Sequence, residues 1–223
     1  MTQDPTATPT EPPDLSEPPD LSELPELSEL PELPEPVDDG AADHLPGMRV
    51  PPVTLPATDG RTIRVDSPPG GADRLVLYCY PRTGRPGEAP LTADWDSIPG
   101  ARGCTPESCG FRDHAAELRA AGAAVLGLST QDTDYQREMV DRLRLPFPVL
   151  SDAGLELTTA MRLPTFEAAG QVLLRRITLV LAAGLVEHVF YPVFPPDTHA
   201  ARVLGWLRAH PVGPDPARPD RLS

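Results

Sequence analysis

Three cysteines, Cys79, Cys104 and Cys109, are the side chains of this sequence with the most distinctive chemistry. A thiolate is both a nucleophile and a metal ligand, and its reactivity follows from whatever stabilises the charged form. Cys104 and Cys109 lie five positions apart in Gly103-Cys104-Thr105-Pro106-Glu107-Ser108-Cys109. Thr105 is a good N-cap and Pro106 a good first helical residue, which predicts that Cys104 sits at a helix start. There, unpaired backbone N–H groups and the positive end of the helix dipole stabilise a thiolate. At about 100° per residue, Cys104 shares a face with Phe111, Ala115 and Leu118. Cys109 is rotated by about 140° and falls on a flank beside Arg112 and Asp113.

Two nearby cysteines can also be small buried hydrophobes or half of a zinc site. Zinc sites need four ligands and generally use pairs with two to four residues between them. Only His114 is adjacent here, and Cys104, Cys109 and His114 do not converge on one side of a helix. No metal and no other cofactor is therefore expected. Cys79, central in an apolar run, reads as a core residue. All 19 basic residues are arginine, which excludes Schiff-base and lysine-base chemistry.

The chain has 223 residues and a formal net charge of -14, and the charge is unevenly spread. Residues 1–46 hold 13 of the 33 acidic residues and no Lys or Arg, so the rest carries 20 acidic against 19 basic. With no basic face, nucleic acid and anionic membranes are not expected partners. The N-terminus lacks a cationic and apolar leader, and no apolar run approaches the roughly 20 residues of a spanning helix. A cytoplasmic protein is expected. In that compartment three cysteines in a chain of this size point to a catalytic or regulatory disulfide more than to a structural one.

The elements that must position the cysteines follow a regular order. Residues 11–34 repeat with a period of six, EPPDLS, EPPDLS, ELPELS, ELPELP, and so many prolines and like charges predict a disordered, solvating tail over 1–46. Order is expected from Gly47, with a hairpin signalled by Asp59-Gly60 between strands near Arg49–Leu55 and Thr62–Val65. A buried strand over 74–80 ends at Pro81, and a Gly- and Pro-rich loop runs to Gly103. Then come a helix over 105–121, a strand over 124–129 and a helix over 133–143 with Tyr135, Met139 and Leu143 on one face. Strands at 149–150, 173–181 and 185–191 and a last helix from Asp197, with Ala200, Val203, Leu204 and Leu207 inward, complete the order. This is an α/β sandwich with a mixed central sheet, the thioredoxin-like architecture. The domain is expected over 47–211, with a flexible terminus over 212–223.

The run from Pro99 to Asp113, with Gly103-Cys104-Thr105, a spacer, Cys109 and Phe111-Arg112-Asp113, resembles the active-site segment of peroxiredoxins of the bacterioferritin-comigratory type. The resemblance covers most of 47–210: Tyr80-Pro81, Leu126-Gly127-Leu128-Ser129, Phe147-Pro148-Val149-Leu150-Ser151-Asp152 and Arg176-Ile177-Thr178-Leu179 all take part. It implies a thiol peroxidase acting on hydrogen peroxide and organic hydroperoxides. It makes Cys104 the peroxidatic cysteine, Cys109 the resolving one, and Arg176 the arginine that supports the thiolate. It further implies an intramolecular disulfide, re-reduced by thioredoxin or a similar dithiol, in a monomer or weak dimer.

One departure from the family pattern matters. The usual threonine three residues before the reactive cysteine is replaced by Ala101, and 83–98 looks inserted. Thr83, Arg102 or Thr105 is expected to take the missing contact with substrate. Trp95 and the segment Phe190–Pro196 concentrate aromatics near the cysteines, where they either shape access for a bulky hydroperoxide or pack a proline turn. Two other readings stand beside the peroxidase: a thiol-disulfide oxidoreductase, which would favour a Cys-x-x-Cys spacing, and a redox-sensing binding module whose acidic tail engages a partner.

Overall fold

The computed structural model describes residues 33–212. The tail expected over 1–46 falls largely on 1–32, and the C-terminal one on 213–223, outside the described residues.

A five-stranded mixed sheet forms the centre. Its middle strand is β3 (Arg74–Cys79), buried along its whole length. β3 runs parallel to β4 (Ala123–Ser129) and antiparallel to β8 (Ile177–Ala182). β4 pairs in parallel with β5 (Val149–Ser151), and β8 pairs antiparallel with β9 (Leu185–Phe190). A parallel strand covered on both faces needs apolar side chains in both directions, which is why 75–80 is unbroken by charge. Leu75, Leu77 and Cys79 enter the core on one side, Val76, Tyr78 and Tyr80 that on the other.

The Cys79 side is closed by the hairpin of β1 (Thr54–Pro56) and β2 (Thr62–Arg64) and by α4 (Glu156–Met161), through Leu55, Ile63, Leu157 and Met161. The opposite side is closed by α1 (Cys104–Asp113), α2 (Ala115–Ala120), α3 (Thr133–Leu143) and α5 (His199–Ala209). Met139 of α3 and Ala200, Val203, Leu204 and Leu207 of α5 face inward as their spacing requires. No helix among the described residues is long and apolar enough to cross a membrane.

Four expectations are corrected. Order begins before Gly47: Ala42 and Leu45 are in the core, because a turn at 40–44 returns the chain onto the sheet, where Gly47 donates to Val186. The helix over 105–121 starts at Cys104, not after a Thr105 cap, and breaks at His114 into α1 and α2. The strand over 173–181 is two strands: β7 (Gln171–Leu174) pairs with β6 (Thr165–Ala168), and only Ile177–Ala182 joins the main sheet. The last helix starts at His199, two residues beyond Asp197.

Candidate active site

Gly103 fixes where α1 begins. Its φ is +105°, and a Cβ built there would lie 2.4 Å from Cγ of Pro196, so only glycine fits. The next residue, Cys104, is the first of the helix and lies 3% exposed. Behind it α1 is pinned to the sheet by Tyr78, whose ring stacks on Phe111 with centroids 4.4 Å apart and whose hydroxyl donates to Ser108 Oγ at 3.2 Å.

The Cys104 sulfur meets one acceptor and two donors. Its thiol points at the Ala101 carbonyl at 3.5 Å. Nη2 of Arg176 donates to the sulfur at 3.3 Å, and the backbone N–H of Arg82 also bonds to it. Arg176 is held in place at four points, since Nη2 also donates to the carbonyls of Gly100 and Arg102 at 3.2 and 3.1 Å, and Nη1 pairs with Glu107. The break between β7 and β8 falls at Arg175-Arg176, just where this arginine enters the site.

Burial pushes the Cys104 pKa up, Arg176 pulls it down, Glu107 pushes it up again, and the Arg82 N–H lowers it. The balance in this closed arrangement lies above the ordinary thiol range. Burial likewise raises Glu107, to about 7, against the pull of Arg176. A neutral Glu107 leaves the guanidinium's charge to the sulfur alone, so thiolate and protonated carboxyl favour one another.

Cys104, Thr105 and Arg102 share the lining of an open cavity of about 340 Å³. Arg102 also forms an ion pair with Asp96 at 2.8 Å. Thr83 is not part of that lining. It is 2% exposed, and its hydroxyl and backbone N–H both donate to Oε1 of Gln131, at 3.2 and 3.0 Å. Cys109 is half-buried on the flank of α1, beside the Arg112 guanidinium. A larger cleft of about 450 Å³, lined by Arg61, Pro69 and Phe147, holds no cysteine.

Sequence reasoning missed Glu107. Three positions after Cys104, it lies only about 60° from it around a helix, and a carboxylate on a buried face demands a cation. That projection was the available signal. The Arg82 amide carries no side-chain signature and could not have been found.

Residues 45–204 match the sequence model of the family described as Redoxin. The chain belongs to the redoxin family. Within it, this redoxin is of the bacterioferritin-comigratory peroxiredoxin type. It is 29% identical over 168 residues to peroxiredoxin Bcp of Escherichia coli K12, covering 74% of this chain and 96% of that one. It is 30% identical over 156 residues to chloroplastic peroxiredoxin Q of Triticum aestivum, covering 70% of this chain and 63% of the relative. The chain thus spans less than two thirds of the wheat protein and 66% of its rice counterpart. Among solved structures, peroxidoxin BcpB of Mycobacterium tuberculosis superposes with a TM-score of 0.61 at 28% identity, over 75% of this chain and 99% of that one.

Proposed function

We propose that this redoxin reduces hydroperoxides, with Cys104 as nucleophile, Cys109 as resolving thiol and Arg176 as the donor to sulfur and peroxide. The observation that carries the reading is the Arg176 guanidinium 3.3 Å from the Cys104 sulfur, beside an open cavity at the first residue of a helix. A thiolate attacking an O–O bond needs fixed donors for the charge that moves from sulfur to the leaving oxygen, and a guanidinium supplies them without reorganising.

In the first step the Cys104 thiolate attacks the terminal peroxide oxygen. The S–O bond forms, the O–O bond breaks, and the departing alkoxide takes a proton to leave as the alcohol, or as water from hydrogen peroxide. Cys104 becomes a sulfenic acid. The Cys109 thiol then attacks that sulfur, releasing water and forming the disulfide. An external dithiol such as thioredoxin restores both thiols by exchange, itself becoming oxidised. Thr105 and Arg102, which share the cavity, contact the incoming peroxide; Thr83 keeps its bond to Gln131.

The test is a pair of serine variants assayed with hydrogen peroxide and a dithiol. Cys104→Ser should lose turnover altogether while keeping the fold. Cys109→Ser should consume about one equivalent and then accumulate sulfenic or sulfinic acid at Cys104 by mass spectrometry. Turnover retained in Cys104→Ser would refute the assignment, and an unmodified Cys104 in Cys109→Ser would move the primary attack elsewhere.

A further inference from the structure

Ahead of the turn at 40–44, residues 33–39 form a strap without regular structure, and its first residue, Leu33, lines the Cys104 cavity. The strap is tied at two places. Pro36 lies over Gly100, where an added side chain would meet it at 3.7 Å. Asp39 accepts from the Tyr191 hydroxyl at 2.8 Å and pairs with Arg175 at 3.9 Å. Pro36 thereby meets the loop whose carbonyls, on Gly100 and Arg102, also grip Arg176, while Asp39 ties the strap to Arg175, the residue before that arginine.

The two large apolar side chains of the strap behave differently. Val37 stands 79% exposed, whereas Leu33 is half-buried and turned to the site. Leu33 lines the cavity of about 340 Å³ together with Cys104, Trp95 and Ala101. It also lines an adjoining crevice with Ile98, Arg176 and Phe194. Leu33 and Trp95 thus give the cavity an apolar side, while Cys104 and Arg102 give it a reactive and polar one. Hydrogen peroxide has only oxygen atoms to offer and needs the polar side alone. An organic hydroperoxide carries a substituent that must leave water somewhere, and the apolar side is where burial rewards it.

We infer that Leu33 is a specificity-determining residue of this site, the wall against which the apolar substituent of an organic hydroperoxide packs. The inference rests on the peroxidase reading above and adds a segment of this chain upstream of the redoxin match to the substrate pocket.

The experiment compares kcat/KM for cumene hydroperoxide and hydrogen peroxide, with dithiothreitol as reductant, in the full chain and in Leu33→Ala. Loss of the wall should lower the cumene-to-hydrogen-peroxide ratio roughly tenfold, as expected for a few missing methyl or methylene contacts in an apolar pocket, and through KM more than kcat. Val37→Ala, on the outward side of the same strap, should leave the ratio in place. A ratio in Leu33→Ala within about twofold of the parent overturns the inference, as does an equal shift in Val37→Ala.

A second measurement needs no peroxidase chemistry. In the Cys109→Ser background, Cys104 is alkylated by N-phenylmaleimide and by iodoacetamide, and Leu33→Ala should lower the rate ratio of the bulky to the small reagent. A lowered ratio in a protein that consumes no peroxide supports Leu33 as the wall and refutes the peroxidase reading instead. An unchanged ratio overturns the wall.

Discussion

Glu107 and Arg176 form an ion pair whose side chains are 0% and 2% exposed, and the same guanidinium reaches the Cys104 sulfur. One cation is thus shared by two groups that both prefer it when negative. Taking a carboxylate and a thiolate out of water together is expensive, and a single buried positive charge cannot fully compensate both. The site holds its negative charge in common, and removing any one member changes the other two.

Arg176→Leu should therefore act twice. It removes the donor to the sulfur, and the peroxide reaction at neutral pH should fall by about 10²- to 10³-fold, the usual effect of losing a preorganised donor. It also strands Glu107 in the core, a loss of about 3–5 kcal/mol while the carboxyl stays charged. Stopped-flow oxidation and urea unfolding read the two effects. Undiminished oxidation would transfer the role to Arg102 or Arg112.

The pH dependence of stability separates the two buried titrating groups. Glu107 stands at about 7 against an ordinary 4.5, so the stability it contributes is full below about 4.5 and is lost as pH rises to about 7. His199 runs the other way. Burial, then Arg202 and Arg176, lower it to about 3 from 6.5, so its contribution is present above about 6.5 and is lost as pH falls toward 3. The two slopes, each at most about 1.4 kcal/mol per pH unit, oppose one another over the shared window from about 4.5 to 6.5. Urea midpoints of the parent should be nearly level there. Glu107→Gln should expose the histidine slope alone, with stability climbing as pH rises; a midpoint that stays level in the variant contradicts the assignment.

Gly103→Ala and Gly60→Ala form an informative pair. Both glycines have positive φ, at +105° and +82°, but a Cβ at Gly60 meets nothing within 4 Å whereas one at Gly103 meets Pro196 at 2.4 Å. Gly60→Ala should lose about 1 kcal/mol from conformation alone. Gly103→Ala should lose about 1–3 kcal/mol more and slow oxidation by shifting the start of α1. Equal thermal shifts in the two variants would show that the Pro196 contact gives way freely.

Leu45→Ala should cost about 2–5 kcal/mol, the range for a leucine with no exposed surface, and a chain beginning at Gly47 should unfold at lower urea than the parent. Matching urea midpoints would mean that the turn at 40–44 is not anchored by its core contacts.

Disulfide formation requires α1 to open. Both cysteines lie on this helix, and five residues separate their Cα atoms by about 8.6 Å, whereas a disulfide needs less than about 7 Å. The first turns must unwind, with Cys104 leaving Arg176 and the Tyr78–Ser108 bond under strain. Amides from Thr105 to Arg112 should exchange faster in the oxidised than in the reduced protein, and helical circular dichroism should fall. Equal protection in both states would rule out this motion.

Much of the architecture was legible because burial writes itself into periodicity. The unbroken apolar run of β3, the i, i+4 spacing of Met139 and Leu143 in α3 and the inward face of α5 each have one physical reading, whereas Tyr135, expected on the same face of α3, lies outside the core beneath the Arg82 and Arg85 guanidinium groups. What failed was local pattern standing in for tertiary demand. Leu173-Leu174 and Ile177 to Leu181 look like one strand, yet the chain breaks between them, where Arg176 reaches Cys104. Glu107 looks like a solvated helical acid until the same arginine covers it. Thr83 carried the right chemistry at a displaced position, and Gln131, nearly fifty residues away, claims its hydroxyl. Leu45 sits among acidic and proline residues whose average conceals it.

The burial of Cys79 on the far face of the sheet has a last consequence. Three thiols permit three pairings, and the sheet is a bulkhead that keeps Cys79 out of two of them, since Cys104 packs with the core on the opposite side. Burial, and after it the charges of Glu107 and Asp152, also push the Cys79 thiol far above the ordinary thiol range. On the proposed reading, Cys109 is the one thiol that an oxidised Cys104 meets without crossing the sheet, so the architecture opposes scrambling before any difference in reactivity is called upon.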